Sequence, residues 1–191
     1  MSDAHVHAHE GQNDSLFKIA LNLTLACFIS GAIIAGTYAF TNPIAEKKMV
    51  QLKEDAMKDL VKDAETFQPV EGKDNWYVAV KGGEEIAYVV PGESKGYGGK
   101  IEMLVAVTPD GKVIDYNIIK MNETPGLGDK GAKEPFKTQF AGKAAEQLEV
   151  TKDPSNQENI QALTGATITS RAVTKGVRDA VEEVTEFTGV K

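Results

Sequence analysis

Histidine and cysteine are almost absent from this chain of 191 residues, and their positions matter more than their number. The three histidines, His5, His7 and His9, fall in the first ten residues, and the single cysteine, Cys27, lies inside an apolar run. Beyond residue 40 there is neither. That excludes Ser-His and Cys-His nucleophilic pairs, thiol redox chemistry and any His- or Cys-ligated metal from most of the chain. Redox work there would need a bound organic cofactor. Basic charge is also short: 21 Lys and Arg against 28 Asp and Glu leave a net charge of −7. Phosphate-backbone binding rests on Lys and Arg, so no nucleic-acid partner is expected. Alternating histidines can hold a metal, but a short polar tail before an anchor is more often just disordered, and no metal site is assigned.

Charge is missing altogether from one stretch. IALNLTLACFISGAIIAGTYAF, Ile19 to Phe40, carries none and has roughly the 20 residues that a helix needs to cross a hydrocarbon core. Tyr38 and Phe40 stand where interface aromatics belong. A cleaved signal peptide would have a shorter apolar core and a basic leader, whereas the segment before this one carries Asp3, Glu10 and Asp14 against Lys18. An uncleaved single-pass anchor in membrane lipid is expected, with Cys27 a small apolar residue within it. Lys47, Lys48, Lys53 and Lys58 outnumber Lys18, and taken alone that count puts the C-terminal part on the cytoplasmic side.

After Pro43, apolar residues Met49, Leu52, Ala56 and Leu60 recur at three- and four-residue steps, the mark of an amphipathic helix. Strand-like runs follow. WYVAV (76–80) and IAYVV (86–90) flank Gly82-Gly83, and IEMLVAVT (101–108) and VIDYNIIK (113–120) flank Pro-Asp-Gly-Lys, which predicts two hairpins. PGESKGYGGK and MNETPGLGDKGAKEP are glycine-rich and long enough for functional loops. A short helix near 136–140, a strand near 148–150 and a last helix from about Ser170 to Phe187 complete the pattern. The expected fold is α+β: a single N-terminal transmembrane helix, then a domain on a twisted antiparallel sheet with flanking helices. The boundaries are a cytoplasmic tail over 1–18, the anchor over 19–40, a linking helix over 41–66 and the domain over 67–191.

Ahead of the last helix stands LTGATITSRAV, with Thr164, Thr167, Thr169 and Ser170 crowded around Gly165-Ala166. In the helix, Val173, Val177, Val181 and Val184 make an apolar face. Its charges oppose the helix dipole: Arg171, Lys175 and Arg178 come first, Glu182, Glu183 and Glu186 last. Two readings fit. An ordinary Ser/Thr cap, supplied by Thr169 or Ser170, leaves the other threonines in a short strand. Alternatively, free N–H groups, the positive dipole end, Arg171 and the hydroxyls seat a phosphate, with Gly165 admitting it closely. Neither glycine-rich loop has a Walker or GxGxxG setting.

TGATITS (164–170) resembles the flavinylation motif of the FMN-binding domains found in the G subunit of Rnf-type ferredoxin:NAD+ oxidoreductases and the C subunit of sodium-pumping NADH:quinone oxidoreductases. ETPGLGD (123–129) resembles that family's flavin-contacting loop, and the likeness to the Rnf G subunit runs over essentially the whole chain. The resemblance implies FMN held through a phosphoester to Thr167, with Gly165 and Ala166 giving clearance and Thr164, Thr169 and Ser170 near phosphate or ribityl oxygens. Thr124, Leu127 and Gly128 would pack along the flavin, Glu123 would fix its loop, and Tyr97 could line the site. No residue is assigned a catalytic role, since the flavin supplies the electron chemistry. It further implies a relay of electrons within a complex that translocates Na+ or H+, alongside other membrane subunits, including a second covalent-flavin subunit, and a flavin transferase for maturation. The domain would then face the outside of the cell membrane, against the local lysine count. One departure is Gln161, where the family usually has an acidic residue before the core. A free-standing extracellular flavin shuttle and a non-redox membrane-anchored binding module are the alternative functions.

Overall fold

A computed structural model describes residues 10–190, so the three histidines of the tail lie outside the described residues. The chain divides into two compact units, Met1–Val50 and Gln51–Lys191. Helix α1 runs from Glu10 to Leu60 with Pro43 inside it. Every described side chain from Leu16 to Phe40 is exposed, apolar ones on all sides included. A helix with no polar face and no protein packed on it is solvated by lipid. Its two threonines obey the same constraint: Thr24 and Thr37 donate back to the carbonyls of Ala20 and Ile33 at 2.8 Å each. Among the described residues, one helix is long and apolar enough to cross a membrane, and it is this one. The protein is membrane-anchored.

The second unit is an antiparallel five-stranded meander in the order β1-β2-β3-β4-β5. The strands are β1 (Thr66–Pro69), β2 (Tyr77–Lys81), β3 (Glu84–Lys95), β4 (Lys100–Val107) and β5 (Val113–Lys120). Alternate residues feed opposite faces. Ala79, Ala87, Val89, Leu104 and Ala106 pack with Ala56, Met57, Leu60 and Val61, at the end of α1 and just beyond. Val90, Met103, Val105, Val107 and Tyr116 face helix α2 (Thr167–Thr188), whose Val173, Val177, Val181 and Val184 close the main core. A short parallel pair, β6 (Val150–Thr151) with β7 (Ile160–Gln161), flanks it. The α+β architecture expected from the sequence is the one present.

Several local expectations fail for physical reasons. The helical pattern does not run to Phe67: α1 stops at Leu60, and Phe67 instead sits in β1 opposite Ala79, where sheet pairing half-buries it. Most of PGESKGYGGK is strand, because Gly92 to Lys95 pair with Lys100 to Met103, leaving only 96–99 as a turn closed by Gly96 N–H donating to Gly99 O at 2.8 Å. The helix expected near 136–140 is a single 3-10 turn, Lys137–Gln139, fixed by Phe136 and Phe140 stacking edge-on near Tyr116. The strand expected near 148–150 lies slightly later, as β6.

Candidate functional site

Three segments distant in sequence meet at one end of the sheet: the 96–99 turn, the loop after β5, and the start of α2. The Glu123 carboxylate, buried to 8% exposure, joins them. Its Oε1 accepts the Gly98 N–H at 3.0 Å and its Oε2 accepts the Thr169 hydroxyl at 2.5 Å. A buried carboxylate with charge-assisted donors on both oxygens is held far more firmly than a loop residue otherwise would be. The close approach demands glycine. A Cβ on Gly128 would lie 2.7 Å from Thr169 Oγ1 and 2.8 Å from Glu123 Oε2.

The loop is shaped by Pro125-Gly126, with Gly126 at φ +78°, and by Leu127 N–H donating to Thr124 O at 3.1 Å. That is a turn with proline then a left-handed glycine at its centre. A 3-10 turn, Gly128–Ala132, follows and is tied to the sheet by the Tyr116 hydroxyl donating to Gly131 O at 2.5 Å. Burial, then the neighbouring Asp115 charge, pushes the Tyr116 pKa up, so the phenol stays a donor.

The start of α2 departs from a hydroxyl-capped helix. Its N-cap is Ala166, without a side-chain cap bond, so neither Thr169 nor Ser170 caps it. The helix begins at Thr167, three residues before the expected Ser170, so Thr167 and Thr169 are helical and Thr164 lies in the turn before them, none of them in a strand. Ser170, fully buried, donates to Ala166 O and accepts from Leu163 N–H, both at 2.9 Å, locking the turn that Gly165 makes at φ +77°. Thr169 is spent on Glu123. With no side-chain acceptor at the cap, the first-turn N–H groups point outward unclaimed by hydroxyls. The half-buried Thr167 hydroxyl has no hydrogen-bond partner among the described residues.

Between these segments lies a cavity of about 510 Å³. Tyr97, Glu123, Thr124, Leu127 and Gly128 form one side, and the run from Gly165 to Thr169 forms the other. Of the residues singled out in the sequence, Thr164 and Ser170 do not line it: the first is exposed, the second sealed in the core. Sequence reasoning missed Ile168. It stands 55% exposed beside Thr167, and its signal was a large apolar residue off the valine face of the helix. Beyond residue 60 the exposed large hydrophobics are Tyr97, Leu127, Ile168, Phe187 and Val190, and three of these five rim this one cavity. Free polar groups in the floor and apolar surface at the rim suit a ligand with a phosphate and a flat ring.

A roomier cavity, about 590 Å³, is lined by Asp63, Lys81, Asp115 and Lys137 among others, and these four are spent on each other (Lys81–Asp63 3.6 Å, Lys137–Asp115 2.8 Å). It gathers none of the motif residues. Arg171 does not reach the Thr167 cavity but lines a separate concavity. Gln161 Nε2 donates to the carbonyls of Asp153 and Asn156, both at 2.6 Å. A carboxylate is acceptor-only and could make neither bond.

Residues 96–182 match the family of FMN-binding domains. The G subunit of the proton-translocating ferredoxin:NAD(+) oxidoreductase complex of Clostridium ljungdahlii is 60% identical over 184 residues, 96% of this chain and all of that protein. The G subunit of the Na(+)-translocating ferredoxin:NAD(+) oxidoreductase complex of Acetobacterium woodii is 35% identical, over 87% of this chain and 92% of that one. Among solved structures, the C subunit of the Na(+)-translocating NADH-quinone reductase from Parabacteroides distasonis aligns with a TM-score of 0.51 and 23% identity, covering 61% of this chain and 63% of the other. That last likeness speaks for the fold.

Proposed function

As the chain belongs to the G-subunit family of ion-translocating ferredoxin:NAD(+) oxidoreductase complexes, we propose that it is the flavoprotein component that carries FMN on Thr167 and relays electrons inside such a membrane complex. FMN supplies one- and two-electron transfer when bound; the chain supplies tether, position and exclusion of water. The observation that carries the reading is the unpartnered Thr167 hydroxyl at the uncapped start of α2, opening on a cavity with an apolar rim.

Each residue then has a role of its own. Thr167 Oγ1 bears the ester to the flavin phosphorus. The first-turn N–H groups of α2 and its dipole favour the phosphate oxygens, and Gly165 and Ala166 leave them room. Leu127, Ile168 and Tyr97 give the ring apolar surface, with Thr124 and Gly128 along its edge. Glu123 and Ser170 position: one clamps the loops to α2, the other locks the 163–166 turn. Thr169 acts through Glu123, and exposed Thr164 stands outside the cavity at the start of the turn. The domain (67–191) works outside the cytoplasm, the tail (1–18) inside, with 19–40 as the span and 41–66 as the link. A phosphoester tether keeps cofactor from being lost to a dilute compartment, and the partners are the other membrane subunits.

The intact mass of the full chain, made together with a flavin transferase, tests this. The expected gain is one FMN less one water, absent in Thr167→Val and present in Thr169→Val. Wild-type chain of unmodified mass under those conditions would sink the proposal. Reporter fusions at the C-terminus test the side of the membrane separately, with an extracytoplasmic signal expected.

A further inference from the structure

We propose that α2 carries a second anion site, distinct from the Thr167 cavity, that takes a phosphate group. Residues 148–150, leading into β6, and the middle of α2 enclose a concavity of about 370 Å³ that shares no lining residue with the first. Arg171, Lys175 and Arg178 face it from one stripe of the helix, at steps of four and three residues. Lys175 pairs with Asp179, and Arg178 Nε approaches Glu182 at 3.7 Å, too far for a hydrogen bond. Arg171 has no carboxylate partner among the described residues.

Two donors lining this concavity lack acceptors. Thr174, 2% exposed, has an Oγ1 without a hydrogen-bond partner, although a helical threonine can donate to its own i−4 carbonyl, and Arg178 Nε is likewise buried and unsatisfied. An orphaned hydroxyl and an orphaned guanidinium N–H, in a wall that also carries Arg171 and Lys175, call for an acceptor with several oxygens and negative charge. A phosphate group has both, and arginine's fork suits it. The same ligand accounts for the order of charges along α2, which the dipole alone disfavours. One wall residue opposes it: Glu149 is exposed and acidic.

The phosphate could be free or belong to a lipid headgroup, and two arms separate them. Inorganic phosphate is titrated into the detergent-solubilised full chain against chloride at matched ionic strength, while the Thr174 amide and Arg178 Nε–H resonances are followed. In parallel, nanodiscs with and without phosphatidic acid are compared. Saturable shifts with inorganic phosphate support a free-phosphate site; shifts only with phosphatidic acid support a headgroup site; shifts in neither, or equal shifts in chloride, overturn the proposal. Arg178→Gln should weaken binding by about tenfold, the value of a charge-assisted bond. Glu149→Gln should tighten it by about threefold by removing a like charge. Thr167→Val should leave it unchanged; loss of binding there would place the anion at the helix start and refute a second site.

Discussion

The two halves of α2 bury different chemistry under one continuous helix. From Thr167 to Thr174 the buried positions include Thr169, Ser170 and Thr174 alongside Ala172 and Val173. From Val177 onward they are Val177, Ala180, Val181 and Val184, with no polar side chain among them. Gly176 divides the halves, where α2 crosses β3 so closely that a Cβ on Gly92 would come within 2.9 Å of the Gly176 carbonyl oxygen. The second half holds the helix to the sheet through apolar area. The first spends its Thr169 and Ser170 hydroxyls on Glu123, Leu163 and Ala166, which sets positions and adds little net free energy per bond. Stability and site therefore sit on the same element about two turns apart.

Truncation in the second half should separate them most sharply. Val181 is fully buried, and Val181→Ala removes two methyl groups' worth of packing and leaves a cavity, costing about 2–3 kcal/mol. In a thermal melt of the full chain that is a fall of roughly 5–10 °C for a domain of this size. On the proposed attachment, mass-detected flavin on Thr167 should stay at the wild-type level below the transition. Loss of attachment at temperatures where the variant is folded would mean the halves are not independent.

The crossing point gives a smaller and signed pair of effects. Gly92→Ala drives a methyl against the backbone oxygen of Gly176, which side-chain movement cannot relieve, and should cost about 1–3 kcal/mol. Gly176→Ala points its methyl at Met103 Cε, 2.9 Å away at the end of a flexible side chain. There the gain in helix propensity, about 1 kcal/mol, offsets the shift and leaves stability near wild type. Paired chemical melts with unchanged m-values check this. Equal losses in both variants would show that the helix backbone, and not the Gly92 contact, limits the approach.

The same contrast explains which parts were legible in the sequence. The valine face of α2 and the alternating strands repeat with the period of their element, so the α+β fold and the four long strands could be read directly. The anchor was legible from length and lack of charge. Positions fixed by one distant partner were not: nothing local says that Thr169 turns to Glu123 or that Ser170 locks Leu163 and Ala166, so the cap was assigned to the wrong residues. β1 was hidden for the same reason, because Phe67 continues a helical spacing and becomes strand only by pairing with Ala79. TGAT and ETPGLG located the cavity by resemblance, while Ile168, with no motif role, emerged from its exposure.

The smallest effect tests whether the site half is held electrostatically. Asp129, directly after the ETPGLG loop, is salt-bridged to Lys133 at 2.7 Å, and that bond, ahead of the Gly126 N–H and Lys130, holds its carboxyl below the usual carboxylate range. A depressed folded value means the contribution is complete above the unfolded-state pKa and is lost as pH falls through the folded one. At neutral pH the Lys133 end of the pair is exposed and the interaction screened, so Lys133→Met should barely move the melting temperature. It should instead raise the Asp129 midpoint toward the ordinary value, read from the carboxyl carbon resonance in an acid titration, and high salt should do part of the same to the wild type. A midpoint that stays low in Lys133→Met would assign the hold to the Gly126 backbone, making the loop's own turn, and not its surface charge, the element that keeps the site half in place.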